Sequence, residues 1–155
     1  MQRRITVRGI VINDKGHLLA QKFRQEDGSE SDYWGTPGGG LDPGEILTDC
    51  LHREMIEETG IAPTIGKLLF MQQYTSPHPD GSMREYLEFF YHVENYQDYE
   101  TIDLSKTTHG QEELTRCEFV DANVENILPK FLQEVNLQSA INGTSPVMLA
   151  TYMQQ

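Results

Sequence analysis

The first part of the chain alternates apolar and polar residues with a period of two, which predicts paired β-strands. Residues 4–12 carry β-branched side chains in near alternation, and residues 18–23 form a second apolar run. A polar turn at residues 13–16 separates them, so we expect residues 18–23 to return along the first strand. The polar stretch of residues 24–33 predicts an exposed loop.

Residues 46–59 show a helical repeat instead. Leu47, Leu51 and Met55 recur every four residues and form an apolar stripe that should pack on a sheet. Gly60 follows as the expected helix stop, because glycine readily takes the left-handed conformation needed there.

The second half of the chain predicts a long antiparallel hairpin. Its strands are the apolar-rich residues 64–75 and 84–93, which flank a turn at residues 77–81 that contains two prolines and a glycine. Residues 118–120 predict a short strand. Pro129 fits the first turn of a helix that runs to about residue 140.

Strands interleaved with two helices predict an α/β fold with a mixed central sheet. At 155 residues the chain is long enough for one domain, which we place at residues 1–140. Residues 141–155 are a C-terminal tail without an assigned role, either frayed or added as a strand to a partner.

The composition favours an ordinary cytoplasmic protein. The sequence is 37% hydrophobic and contains no apolar run of membrane-spanning length and no secretory signal pattern. Cys50 and Cys117 are the only cysteines, so neither a disulfide framework nor a zinc cluster is expected.

The formal net charge of −12 argues against a nucleic-acid polymer or an anionic membrane as partner, since both require basic patches. A small anionic substrate remains compatible with this charge, because bound cations would reverse the local sign.

The predicted helix concentrates acidic residues on one side. Glu54, Glu57 and Glu58 fall within about 100° of one another and overlap the edge of the apolar stripe. Carboxylates so close together repel, and partial burial makes each unpaired charge more costly. A hard divalent cation bound by carboxylate oxygens would relieve that cost, and Arg53 can pair with Glu57 four residues later. The alternative is a solvated acidic face with salt bridges.

Residues 39–61 read Gly-x5-Glu-x7-Arg-Glu-Met-x-Glu-Glu-x-Gly-Ile, which resembles the Nudix box. Every fixed position of that box is filled, and the residues that fill it are Gly39, Glu45, Arg53, Glu54, Met55, Glu57, Glu58, Gly60 and Ile61. The chain is therefore identified as resembling the Nudix hydrolases.

The resemblance implies an α/β/α sandwich and a Mg²⁺-dependent catalytic site, with Mn²⁺ as an alternative ion. It implies that Glu57 and Glu58 are metal ligands and that Glu54 is a ligand, a general base, or both. It also implies that Glu45 and Arg53 orient these acids, and that Arg53 belongs to the catalytic residues.

Two further parts of the site follow from the resemblance. Family members often recruit another acid from a loop beyond the hairpin, and Glu113 is the first candidate as catalytic acid and metal ligand, with Glu112 the second. Gly38 and Gly39 belong to a glycine-rich segment that lets the backbone approach another surface closely and serves as a scaffold. His109 is either an ordinary loop residue or a phosphate contact.

The implied reaction is attack of water on phosphorus in a nucleoside diphosphate derivative, such as a nucleoside triphosphate, ADP-ribose or a nucleotide sugar. Pro77, sixteen residues beyond Ile61, resembles a marker of ADP-ribose pyrophosphatases or is simply a turn proline. Arg24 and Arg84 are candidate phosphate contacts. Trp34 could stack on a base or belong to the core.

Two other functions stay open at this point. One is a non-catalytic Nudix-fold module that senses a nucleotide, although such modules usually lose box acids. The other is isomerase chemistry on a diphosphate. A homodimer is also compatible with the unassigned tail.

Overall fold

The computed structural model describes residues 1–150, except for the side chains of residues 149 and 150. The strands are β1 (Gln2–Ile10), β2 (Leu18–Phe23), β3 (Gly38–Gly40), β4 (Ile65–Pro77), β5 (Met83–Val93), β6 (Leu114–Val120) and β7 (Val147–Ala150). The α-helices are α1 (Leu47–Thr59), α2 (Gly110–Glu113), α3 (Phe131–Glu134) and α4 (Leu137–Asn142), and short 3₁₀ turns lie at Tyr96–Tyr99 and Leu104–Lys106.

The strands form two sheets. The larger sheet has the order β3-β1-β5-β4-β7, and it is mixed because β1 runs parallel to β5 and β4 runs parallel to β7. The smaller sheet consists of β2 and β6 in antiparallel pairing. This architecture confirms the predicted α/β class with a mixed sheet, and the long β4–β5 hairpin is also confirmed.

Each face of the larger sheet covers a separate apolar cluster. On one face α1 contributes Leu51 and Met55, which are fully buried together with Val7 of β1. On the other face Phe70 and Phe90 each make an edge contact with Phe131, at centroid distances of 5.2 Å. The sheet is therefore buried on both sides, and α1 is fixed against one of them.

Helix α1 begins and ends close to the predicted positions. Its last residue is Thr59, and Gly60 takes the left-handed conformation at φ 77° while its N–H donates to the carbonyl of Ile56. The predicted role of Gly60 as the helix stop is thus seen directly.

The first predicted hairpin is wrong in its pairing. Strand β2 pairs with the segment that follows β1 through an isolated bridge between Ile12 and Leu18, but its ladder runs along β6 instead. Because β6 extends over seven residues, longer than the predicted 118–120, it offers β2 a partner that local sequence does not reveal.

The C-terminal segment also differs from the expectation. Instead of one helix from Pro129, two short helices form, because Val135 is extended and Asn136 caps α4 by accepting from the N–H of Ser139 at 3.0 Å. Strand β7, which lies in the predicted tail, pairs with β4 of its own chain. The rest of that tail, residues 151–155, lies outside the described residues.

Within residues 1–150, no helix has the length and apolar character needed to cross a membrane.

Replacing Leu51 by Ala should lower the free energy of unfolding by about 2–5 kcal/mol, because the side chain is fully buried between α1 and the sheet. The matched control is Ile56→Ala on the same helix, whose side chain is 39% exposed and whose loss should cost less than about 1 kcal/mol. Urea denaturation of both variants measures the difference, and equal destabilisation would contradict this packing.

Candidate active site

Strand β3 brings the backbone unusually close to its neighbours. Gly38 has φ 138°, and a Cβ there would overlap the carbonyl of Val7 on β1. A Cβ on Gly39 would lie 2.5–2.6 Å from the two carboxylate oxygens of Glu54. Glycine at both positions therefore lets β3 pair with β1 while the Glu54 carboxylate rests directly on the strand.

Arg53 is the centre of the acidic side of α1. Its guanidinium forms a two-pronged ion pair with Glu45 (Nε–Oε2 2.8 Å, Nη2–Oε1 3.0 Å). Nη1 also donates to Glu54 at 3.0 Å and to Glu57 at 3.3 Å, and Nη2 donates to the carbonyl of Gly40. One cation thus orients three carboxylates, and its hydrogen bonds lower the pKa of Glu45 to about 2.

Glu58 lies deeper than the other acids and is only 5% exposed. Its Oε2 accepts from Nε2 of Gln21 at 2.8 Å and from the N–H of Gly38 at 3.2 Å. Burial raises the pKa of Glu58 to about 7, while Gln21, Arg8 and Gly38 act in the opposite direction. Burial also raises the pKa of Glu54, against the opposing effect of Arg53. Both acids therefore carry an unfavourable charge that a cation would stabilise.

Gln21 was not identified from the sequence. It is fully buried, and its Oε1 has no hydrogen-bond partner within residues 1–150. The available signal was an amide in the middle of the apolar run of β2, a position that should otherwise be apolar.

The segment before α2 docks on the end of α1. The N–H of His109 donates to the carbonyl of Glu57 at 2.9 Å, and its Nδ1 lies 3.1 Å from Glu57 Oε2. A Cβ on Gly110 would overlap the carbonyl of Glu58, so glycine permits this contact. His109 is thus a partner of the Glu57 carboxylate. The sequence had offered two alternatives for it, an ordinary loop residue or a phosphate contact.

Glu113 and Glu112 do not join the acidic cluster directly. Both side chains are exposed, and among the described residues no hydrogen bond or ion pair joins either carboxylate to Glu54, Glu57 or Glu58. Within residues 1–150, no three His, Cys, Asp or Glu side chains are grouped closely enough to hold a metal ion. The guanidinium of Arg53 bridges Glu54 and Glu57 instead.

The structure does not support Arg24 as a free phosphate contact. Its backbone N–H donates to the carbonyl of Glu113, and its guanidinium donates to the carbonyls of Glu112 and Leu114 at 3.3 Å. Arg24 therefore fixes the junction at which α2 ends and β6 begins.

Trp34 likewise cannot stack on a base in this arrangement. Its side chain is 2% exposed, its Nε1 donates to Glu125, and Lys22 and Arg116 lie over its ring at 5.4 and 4.7 Å from the centroid. Of the two alternatives that the sequence left open, Trp34 is therefore the core residue and not the substrate contact.

Arg84 lies on β5, opposite Ser76 of β4, and its Nε is buried without a partner in the described part of the chain. Pro77 ends β4 and pairs with Met83, as a turn proline would. Neither residue contacts the acids of α1 through a hydrogen bond or ion pair within residues 1–150.

A cavity of about 380 Å³ opens between the smaller sheet and the face of the larger sheet opposite α1. Its lining residues are Arg8, Phe23, Tyr33, Gly35, Thr36, Tyr74, Ser76, Glu88, Leu128 and Pro129. This volume lies within the range of small-molecule sites.

Comparison with known proteins agrees with the geometry. The family model of the NUDIX domain matches residues 2–135. The nucleoside triphosphatase NudI of Escherichia fergusonii is 38% identical over 60 residues, which cover 39% of this chain and 42% of that protein. The chain thus spans less than half the length of this curated relative.

Solved structures share the fold at low identity. A UDP-X diphosphatase has a TM-score of 0.69 at 16% identity, over 96% of this chain and 68% of the other. A MutT NUDIX hydrolase from Burkholderia pseudomallei has a TM-score of 0.65 at 18% identity, over 94% of this chain and all of the other.

Gly39→Ala should displace the Glu54 carboxylate and reduce any activity of this site by roughly 10-fold or more, as expected when a catalytic group is shifted by about 1 Å. The matched control is Gly40→Ala, where the new Cβ meets only the flexible end of Arg4 at 3.3 Å. Steady-state rates and unfolding curves of both variants give the comparison. Equal rates in the two variants would show that the Gly39–Glu54 contact is unimportant.

Proposed function

Since the chain belongs to the Nudix family over residues 2–135, we propose that it is a Mg²⁺-dependent hydrolase of the diphosphate linkage in a nucleoside diphosphate derivative. The observation that carries the proposal is the cluster in which Arg53 orients Glu45, Glu54 and Glu57 beside the buried Glu58. On a purely solvated acidic face, Glu58 would be exposed and would not be affected by burial. Here it is buried, and burial raises its pKa to about 7.

Nudix hydrolases generally use divalent metal ions. The donors available here are carboxylate oxygens, which suit Mg²⁺, with Mn²⁺ as the alternative. We assign Glu54, Glu57 and Glu58 as the residues that would hold the ion, with Glu113 as a further ligand from the adjacent segment. In the present arrangement Arg53 bridges Glu54 and Glu57 and Glu113 is exposed, so the proposal requires these side chains to turn towards the ion. When bound, the ion would neutralise the charge of the diphosphate and activate water.

The protein residues have separable tasks in this proposal. Gln21 and the N–H of Gly38 hold Glu58 in one orientation, and Arg53 holds Glu54 and Glu57. Glu54, whose pKa is raised by burial, is the candidate to accept the proton of the attacking water. The water oxygen forms the new bond to phosphorus as the bond from that phosphorus to the bridging oxygen breaks, and the other phosphate leaves with the bridging oxygen.

The substrate candidates are nucleoside triphosphates, ADP-ribose and nucleotide sugars. The names of two similar proteins, a nucleoside triphosphatase and a UDP-X diphosphatase, support this range without selecting within it. We also propose a cytoplasmic location, supported by two free cysteines of which Cys50 is buried. A homodimer stays a prediction.

Glu57→Gln and Glu58→Gln should each lower kcat by more than about 100-fold, since even residues that only orient metal ligands cost roughly 10–100-fold when changed. The fold should persist, as measured by circular dichroism and thermal unfolding. Asp49→Asn is the matched control, because it removes one carboxylate from an exposed position of the same helix. Full activity in both glutamine variants would refute the assignment of these acids.

A substrate panel in Mg²⁺, Mn²⁺ and EDTA, with products identified by mass, tests the reaction class. We expect cleavage of at least one diphosphate with addition of water, and no turnover in EDTA. Tight binding without turnover in either metal would favour a nucleotide sensor, and a product of unchanged mass would favour isomerase chemistry. Either result would replace the present proposal.

A further inference from the structure

Arg8 stands at the boundary between the cavity and the acidic cluster. It lines the cavity, and its Nη1 donates to the carbonyls of Thr36 at 3.2 Å and Gly38 at 3.3 Å. Gly38 is also the residue whose N–H donates to Glu58. One short backbone segment therefore connects the arginine to the buried acid.

The guanidinium keeps a donor available. Its Nε lies 3.6 Å from Oε2 of Glu88, which also accepts from Thr6 at 2.7 Å. Within residues 1–150, its Nη2 makes no hydrogen bond. This nitrogen is also not enclosed by the surrounding atoms, so a ligand can reach it. Arg8 can therefore donate to an incoming group without breaking the contacts that hold it.

The electric field of Arg8 reaches the acids. Burial is the main influence on the pKa of Glu54 and of Glu58 and raises both, while the positive charge of Arg8 acts in the opposite direction on each. In a chain with a formal net charge of −12, an anionic group that approaches these acids requires such a positive neighbour.

The remaining walls of the cavity suit a flat ring. The rings of Phe23 and Tyr33 lie against each other at a tilt of 41° with centroids 5.9 Å apart, and Tyr74 stacks on Tyr86 at 5.0 Å. Aromatic walls of this kind favour a nucleobase, and the hydroxyl groups of Thr36 and Ser76 can bind its polar edge or a sugar.

We propose that this cavity holds the nucleoside of the substrate and that Arg8 binds the phosphate attached to it, which leads the diphosphate towards the acids of α1. The inference rests on the proposed hydrolase function and adds the residue that selects a nucleoside 5′-phosphate unit. Arginine suits this task because its planar fork matches phosphate oxygens.

A structural role for Arg8 predicts something different. If Arg8 only neutralised Glu88 and tied down two carbonyls, its removal would weaken the cavity as a whole, and nucleosides with and without phosphate would lose affinity equally. The contrast between these two ligands therefore separates the two roles.

The test measures binding of UMP, CMP, AMP and GMP, and of the four matching nucleosides, to the full chain in EDTA by calorimetry. For the preferred base, Arg8→Gln should lower the affinity for the monophosphate by roughly 10-fold or more and leave the affinity for the nucleoside within about 2-fold of the unchanged protein. Arg8→Lys keeps the charge but loses the fork, so it should recover part of the lost affinity.

Arg3→Gln is the matched control, since it removes the same charge from the same strand at an exposed residue paired with Glu85. Its affinities should equal those of the unchanged protein. Equal losses for nucleoside and monophosphate in Arg8→Gln, no loss, or a wild-type protein that binds monophosphates no better than nucleosides would each overturn the proposal. Because binding in EDTA needs no turnover, failure of the hydrolase assignment would be seen separately, in the substrate panel.

Discussion

The ion pairs between Arg53 and the acidic residues beside it are the interactions on which the site depends. Helix α1 must bury Leu51 and Met55 against the sheet while the same side of the helix carries acids at its edge. Burial penalises those acids, and Arg53 offsets the penalty by bonding to Glu54 and Glu57. Without that guanidinium, repulsion would favour outward rotation of the carboxylates and loss of a defined site.

The glycines of β3 allow this strand to lie close to both β1 and the Glu54 carboxylate of α1. A strand with side chains at residues 38 and 39 could neither pair with β1 nor receive the Glu54 carboxylate, because a Cβ at these positions would overlap Val7 and Glu54. The short strand therefore serves two contacts at once, and both depend on the absence of a side chain.

Local patterns predicted the parts of the fold that are local in sequence. Helix α1, its stop at Gly60 and the β4–β5 hairpin each follow from a repeat or a turn within a short segment. The pairing of β2 with β6 joins segments about a hundred residues apart, and no local pattern encodes it. The predicted return of residues 18–23 along the first strand depended on this pairing and was therefore wrong.

The same long-range pairing explains why Gln21 was missed. Gln21 reaches Glu58 from β2, whereas Gly38 reaches the same carboxylate from β3 in the other sheet. Glu58 therefore joins the two sheets, and the cavity between them takes walls from both, through Phe23 of β2 and Tyr74 of β4. A shift of β2 would move a cavity wall and the buried acid together, so the shape of the cavity and the geometry of the acids are coupled through one hydrogen-bonded carboxylate.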